Sequence, residues 1–149
     1  MAIARGAGTE IIRTAHFEYI AANTTAQTLI FGVQHHIYTV LSIVAMATGS
    51  SSGLKCYLVG YDSLEGTTAQ NLHYFHTGAM ASDATFVWND KFSFNGHEPT
   101  DFAGPMDSIV KQDAIADQGS SVAQKLTMQK IANGDDFHVH ITYIDQNNA

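Results

Sequence analysis

A single cysteine, Cys56, excludes any disulfide within this chain. Its neighbours Tyr57 and Leu58 read as strand, where a buried, unreactive thiol is the usual role. Charge is scarce as well. Only 14% of the 149 residues are charged, against roughly 25% in an average soluble domain. The seven basic residues, Arg5, Arg13, Lys55, Lys91, Lys111, Lys125 and Lys130, are scattered, and the formal net charge is −7. Phosphate binding needs clustered Lys and Arg, so nucleic acid is not expected as a direct partner. Long apolar runs are missing too. The longest apolar region, Ile37 to Ala47, is interrupted by Thr39 and Ser42 and is too short to span a bilayer. The opening residues, Met1 to Gly8, lack the apolar core of a signal peptide, so no membrane is expected.

What is present is apolar content of 45%, which excludes disorder of the whole chain. The length suits one domain. Ser, Thr, Gln, Asn and Gly replace the missing charges, giving a polar but weakly charged exterior. Protein interfaces are depleted in Lys, Glu and Asp, so such an exterior suits contact with other protein as well as with water. Eight histidines can move the net charge between pH 7 and pH 5.

The clearest element is Asp136 to Asp145. Phe137, Val139, Ile141 and Tyr143 alternate with His138, His140 and Thr142, the period-two pattern of a strand with one face on a core. Burying the four inward side chains contributes on the order of 6–12 kcal/mol gross, much of it offset by conformational entropy. Glu10 to Ile20 alternates in the same way, with Ile11, Ala15, Phe17 and Tyr19 inward and sharing their register with Arg13. Gln27 to Val33 and Ile37 to Met46 are rich in β-branched residues. Both registers of Ile37 to Met46 are apolar, the pattern of a strand buried on two faces. Further strands are read at Lys55 to Tyr61, Leu72 to Thr77, Ala84 to Trp88, Lys91 to Asn95 and Leu126 to Ile131. Turns are read at Asn23 to Thr25, Gly49 to Gly53 and Asn89-Asp90, and a hairpin at Asn133-Gly134. Asp62 to Asn71 reads as a loop. Asn95 to Asp107, with its Gly and Pro residues, reads as a long irregular one. Met106 to Ala116 has weak helical spacing through Ile109, Val110 and Ala114, and Gln118 to Ser121 breaks it. Residues 1–9 read as a small-residue arm and 10–149 as a single β-sandwich domain.

Chemistry-bearing constellations are sparse. His138 and His140 project to one side of a strand at a spacing able to chelate zinc, iron or manganese. Asp145 lies in the opposite register and cannot easily complete such a site. His35-His36, and His73 with His76, diverge on an extended chain. Asp101, Asp107, Asp113 and Asp117 lack the spacing of a calcium loop. There is no G-x-S-x-G, no phosphate-cradling loop and no zinc motif bearing Glu. No catalytic, cofactor-binding or metal-ligating residue is therefore assigned, and the chain is not expected to be an enzyme. Phe86, Trp88, Phe92 and Phe94 surround Asn89-Asp90. They suit a core, and they also suit the aromatic platform of a carbohydrate-binding sandwich.

The segments Ala4-Arg5-Gly6-Ala7-Gly8-Thr9-Glu10-Ile11-Ile12-Arg13, Thr85-Phe86-Val87-Trp88-Asn89-Asp90-Lys91-Phe92-Ser93-Phe94 and Asn133-Gly134-Asp135-Asp136-Phe137-His138-Val139-His140-Ile141-Thr142-Tyr143-Ile144-Asp145 make the chain resemble the small β-rich structural proteins of tailed bacteriophage virions, capsid decoration (cement) proteins above all. The resemblance is one of arrangement along the whole chain. It implies an antiparallel, jelly-roll-like β-sandwich with a flexible N-terminal arm and at most one short helix. It further implies a homo-oligomer, a trimer by preference, bound to the major capsid protein on the outside of the shell after assembly in the host cytoplasm. Neck, tail or fibre-attachment roles in the virion are the neighbouring expectation.

Overall fold

The computed structural model describes residues 9–19, 24–49, 53–61, 69–76, 78–97, 105, 107–111, 122–132 and 136–147. Nine strands appear in it: β1 (Thr9–Tyr19), β2 (Gln27–Phe31), β3 (His36–Ala47), β4 (Leu54–Tyr61), β5 (Ala69–His76), β6 (Thr85–Trp88), β7 (Phe92–Asn95), β8 (Lys125–Lys130) and β9 (Phe137–Asn147). One sheet has the order β1-β9-β3-β6, with β7 also paired to β3, and the other has the order β2-β8-β4-β5. Every pairing is antiparallel. The partners nest: β1 with β9, β2 with β8, β3 with β6 and β7, and β4 with β5. A long two-stranded ribbon closed at β4–β5 and wound on itself has this nesting, so the sandwich is a jelly roll.

The alternation in β9 settles as the sequence requires. Phe137, Val139 and Ile141 are fully buried, whereas His140 is exposed. In β1, Ile12, Thr14, His16 and Glu18 are exposed, while Ile11, Ala15 and Phe17 are half-buried. Leu54, Cys56 and Leu58 of β4 and Leu126 and Met128 of β8 supply the opposing wall of the core. The inward row of β8 ends in Lys130, which is only 1% exposed.

The two-faced apolar pattern of Ile37 to Met46 has a different cause from burial on both sides. The pairing of β3 with β9 shifts between Val40 and Ser42, leaving Leu41 as the extra residue of a β-bulge. Tyr38 and Val40 point inward before the bulge, and Ile43, Ala45 and Ala47 after it. The core row changes parity at Leu41, so both sequence registers look apolar although each half of the strand buries one.

Two turn expectations also change. Asn89-Asp90 does not reverse the chain. β6 pairs with Ile43 to Met46 and β7 with Ile37 to Val40, so the two run on along β3 as one interrupted strand. Asn133-Gly134 does not join a hairpin either, because β8 and β9 belong to different sheets; the residues at 133–135 lie outside those described. The arm at residues 1–8, the residues at 50–52 and 62–68, and most of the loop read at Asn95 to Asp107 are outside them as well. Thr9, read as the end of the arm, opens β1 opposite Asn147. Of Met106 to Ala116, residues 109–111 form one helical turn in which Ile109 and Val110 are exposed. The break read at Gln118 to Ser121 is outside the described residues.

Gly32 and Gly96 let backbones meet. Gly32 N–H donates to Gln124 O at 2.8 Å, Gln124 N–H to Gly96 O at 2.8 Å and Gly96 N–H to His36 O at 2.7 Å. A Cβ on Gly32 would stand 1.8 Å from Gly96 O, and one on Gly96 would stand 1.9 Å from Val33 O.

Candidate interaction surface

The register lays out the outer face of the β1-β9-β3-β6 sheet in rows. Ile12 faces Ile144, then Thr39, then Ser93. Thr14 faces Thr142 and Ser42. His16 faces His140, then Val44, then Val87. Glu18 faces His138, then Met46, then Thr85. Among these rows Glu18 is the only carboxylate. Large apolar side chains stand out at Ile12, 70% exposed, Val87, 50%, and Met46, 39%.

The pairing adds a third imidazole to the His138–His140 pair. The His16 ring stacks on that of His138 at 5.7 Å between centres and lies 6.4 Å from that of His140. Glu18 Oε1 is 3.8 Å from His138 Nε2. Nothing in the sequence signals this meeting, because His16 is brought in by strand pairing from the far end of the chain. Among the described residues, no group of three or more His, Cys, Asp or Glu side chains is placed to hold a metal ion.

At one end of the sandwich the inward row turns polar. Asp145, in the register opposite to the histidine pair, is 5% exposed. Arg13 Nε donates to its Oδ2 at 2.9 Å, and His36 Nδ1 lies 2.6 Å from its Oδ1. This carboxylate links β1, β3 and β9. Tyr38 packs beside it, and its hydroxyl accepts from Val33 N–H at 3.1 Å. Burial, helped by the Asp145 charge, pushes the Tyr38 phenol up to about 12. Burial also raises Tyr143, with Arg13 opposing and Asp145 adding. Of the adjacent His35 and His36, His35 sits at a positive φ of 64° in the turn, so the segment is not extended there, while His36 turns to Asp145.

The aromatics near Asn89-Asp90 pack against the core, with Phe94 buried and Phe86, Trp88 and Phe92 half-buried. Where β6 breaks off opposite the Leu41 bulge, they leave a recess of about 210 Å³. Val40, Ile43, Phe86, Trp88 and Phe92 wall it, with the exposed Val87, Asn89 and Asp90 at its rim. The Phe86 and Trp88 rings meet edge to face, 4.6 Å apart at 60°.

Other singled-out residues are placed apart. Cys56 is fully buried and its thiol is pushed up to about 12 by burial, leaving almost no thiolate at neutral pH. Asp107 pairs with Lys111 at 2.8 Å on the surface. Asp101, Asp113, Asp117 and the side chains of His73 and His76 lie outside the described residues. Phe31 and Val33 form a second exposed apolar spot, with Lys125 Nζ 5.2 Å from the centre of the Phe31 ring. No helix among the described residues is long and apolar enough to cross a membrane.

No family model matches the chain, and no curated protein matches it. Among solved structures, a subunit described under Bacillus endospore appendages, a family of disulfide-linked pili, is similar. It has 12% identity and a TM-score of 0.46, with 100% of this chain and 97% of that chain covered.

Proposed function

We propose that the protein is a non-enzymatic structural component of a phage virion, a capsid decoration protein that presents the outer face of its β1-β9-β3-β6 sheet to neighbouring protein. One observation carries this reading. The face is broad and carries Glu18 as the one carboxylate of its four rows, and exposed Ile12, Val87 and Met46 are set among Thr, Ser and His side chains. Burying such a face desolvates few charges. The phage setting comes from the resemblance of the sequence.

The size of the face fits a subunit that works in many copies. Four strands about 4.8 Å apart and four rows deep, at about 6.7 Å per row, present roughly 500 Å². A stable one-to-one interface needs about 800 Å² per partner. One copy would hold weakly, whereas linked copies on a repeating lattice gain by avidity. Cryo-electron microscopy of the purified virion tests the assignment: density for the jelly roll on the capsid exterior is expected, and absence from the particle refutes it. A matched test uses Val87→Asp. The variant should fold as the parent does and lose lattice binding; unchanged binding would remove this face from the contact.

A further inference from the structure

The recess at the break between β6 and β7 lies chiefly among inward side chains, since Phe86, Trp88 and Phe92 stand opposite Ala45, Ile43 and Val40, and it meets the outer face at Val87. We propose that it binds a small quaternary ammonium compound. Three aromatic rings wall one small space, and two of them, Phe86 and Trp88, are inclined at 60°. A methylated cation is attracted to ring faces within about 6 Å and needs no hydrogen bond. The polar groups beside the rings are those of Asn89 and Asp90. A carboxylate next to an aromatic wall complements a cation. The net charge of −7 raises the local concentration of cations further.

Size and lining separate this ligand from its competitors. At ~30 Å³ per water, a space of about 210 Å³ takes about seven waters. That is room for tetramethylammonium or choline, and less than the roughly 300–1,000 Å³ of pockets for larger ligands. A sugar ring carries several hydroxyls, whereas the side chains here offer one amide and one carboxylate. A bare metal ion needs several oxygen or nitrogen ligands and a primary ammonium three hydrogen-bond acceptors, more than one amide and one carboxylate beside apolar walls supply. The recess exists because two irregularities coincide, the Leu41 bulge and the β6–β7 break, and bulges are over-represented beside binding sites.

Trp88 is the only tryptophan, so its fluorescence reports the site directly. Tetramethylammonium chloride titrated into the full chain, against sodium chloride at equal ionic strength, should give a saturable change, and choline should compete. Asp90→Asn should weaken binding about three- to tenfold. Phe92→Leu, which keeps the reporter, should abolish saturation, with circular dichroism verifying the fold. No saturable change beyond sodium chloride would overturn the proposal. So would an equal response to 3,3-dimethylbutanol, the uncharged analogue of choline, or a saturable response to a neutral hexose in place of the ammonium compounds. A chain absent from virions can still pass this test, so its outcome is independent of the capsid reading.

Discussion

Replacing Asp145 with alanine removes one carboxylate that serves three strands. Its side chain is 7% exposed, while Arg13 is 45% and His36 16% exposed. A hydrogen bond to a charged group contributes about 1.5–3 kcal/mol net when buried. The Arg13 bond falls at or below the bottom of that range, because a half-exposed guanidinium regains water when its partner is lost. The His36 bond, 2.6 Å long and more enclosed, falls near its middle. The sum is about 3 kcal/mol, which for a chain of this length lowers Tm by roughly 6–12 °C. Urea unfolding followed by far-ultraviolet circular dichroism should show an earlier midpoint with an unchanged slope. Asp145→Asn keeps one acceptor and should lose about half as much. A double-mutant cycle with Arg13→Ala should give a coupling of about 1 kcal/mol. If Asp145→Ala stays within about 0.5 kcal/mol of the parent, as ordinary surface substitutions do, the linkage of β1, β3 and β9 through this carboxylate is wrong.

Deleting Leu41 should heal the bulge, because Val40 already faces Tyr143 and Ser42 already faces Thr142, so the ladder closes with both halves of β3 in their present register. Tyr38, Val40, Ile43, Ala45 and Ala47 then form one unbroken inward row, so soluble folded protein should persist in expression and in melting assays; a collapse of soluble yield would refute Leu41 as the extra residue. Gly32→Ala should cost more than about 3 kcal/mol, because its Cβ meets backbone at 1.8 Å and not a movable side chain; a midpoint within error of the parent would refute the close crossing. Alkaline titration should show Tyr38 ionising near pH 12 when folded and near its ordinary 10 when unfolded. The unfolded chain then releases its proton first, so stability holds below pH 10 and falls by up to about 3 kcal/mol toward pH 12, a slope that Tyr38→Phe should reduce.

The strands were legible where a single alternation runs unbroken. In β9, Phe137, Val139 and Ile141 against His138 and His140 name both faces without help, and β1 does the same with Phe17 against His16 and Glu18. Legibility failed at β3, because a period of two is informative only while the parity is kept. Leu41 changes the parity, and an apolar run with a hidden bulge has the same letters as a strand buried on both sides. Asn89-Asp90 failed for a related reason: Asn and Asp favour a departure from strand geometry, and their letters do not say whether the chain reverses or only skips past a partner. Both misread points meet at the aromatic recess, so the feature best suited to hold a ligand sits where the sequence pattern is least faithful. The clusters were hidden differently. Arg13 and Asp145 each stand in an otherwise apolar row, which marks them as odd, but their meeting depends on β1 and β9 pairing from opposite ends of the chain. His16 reaches His138 and His140 by the same pairing. In a wound ribbon the first and last strands are neighbours by topology alone, so contacts between them become visible only once the nesting of the strands is known.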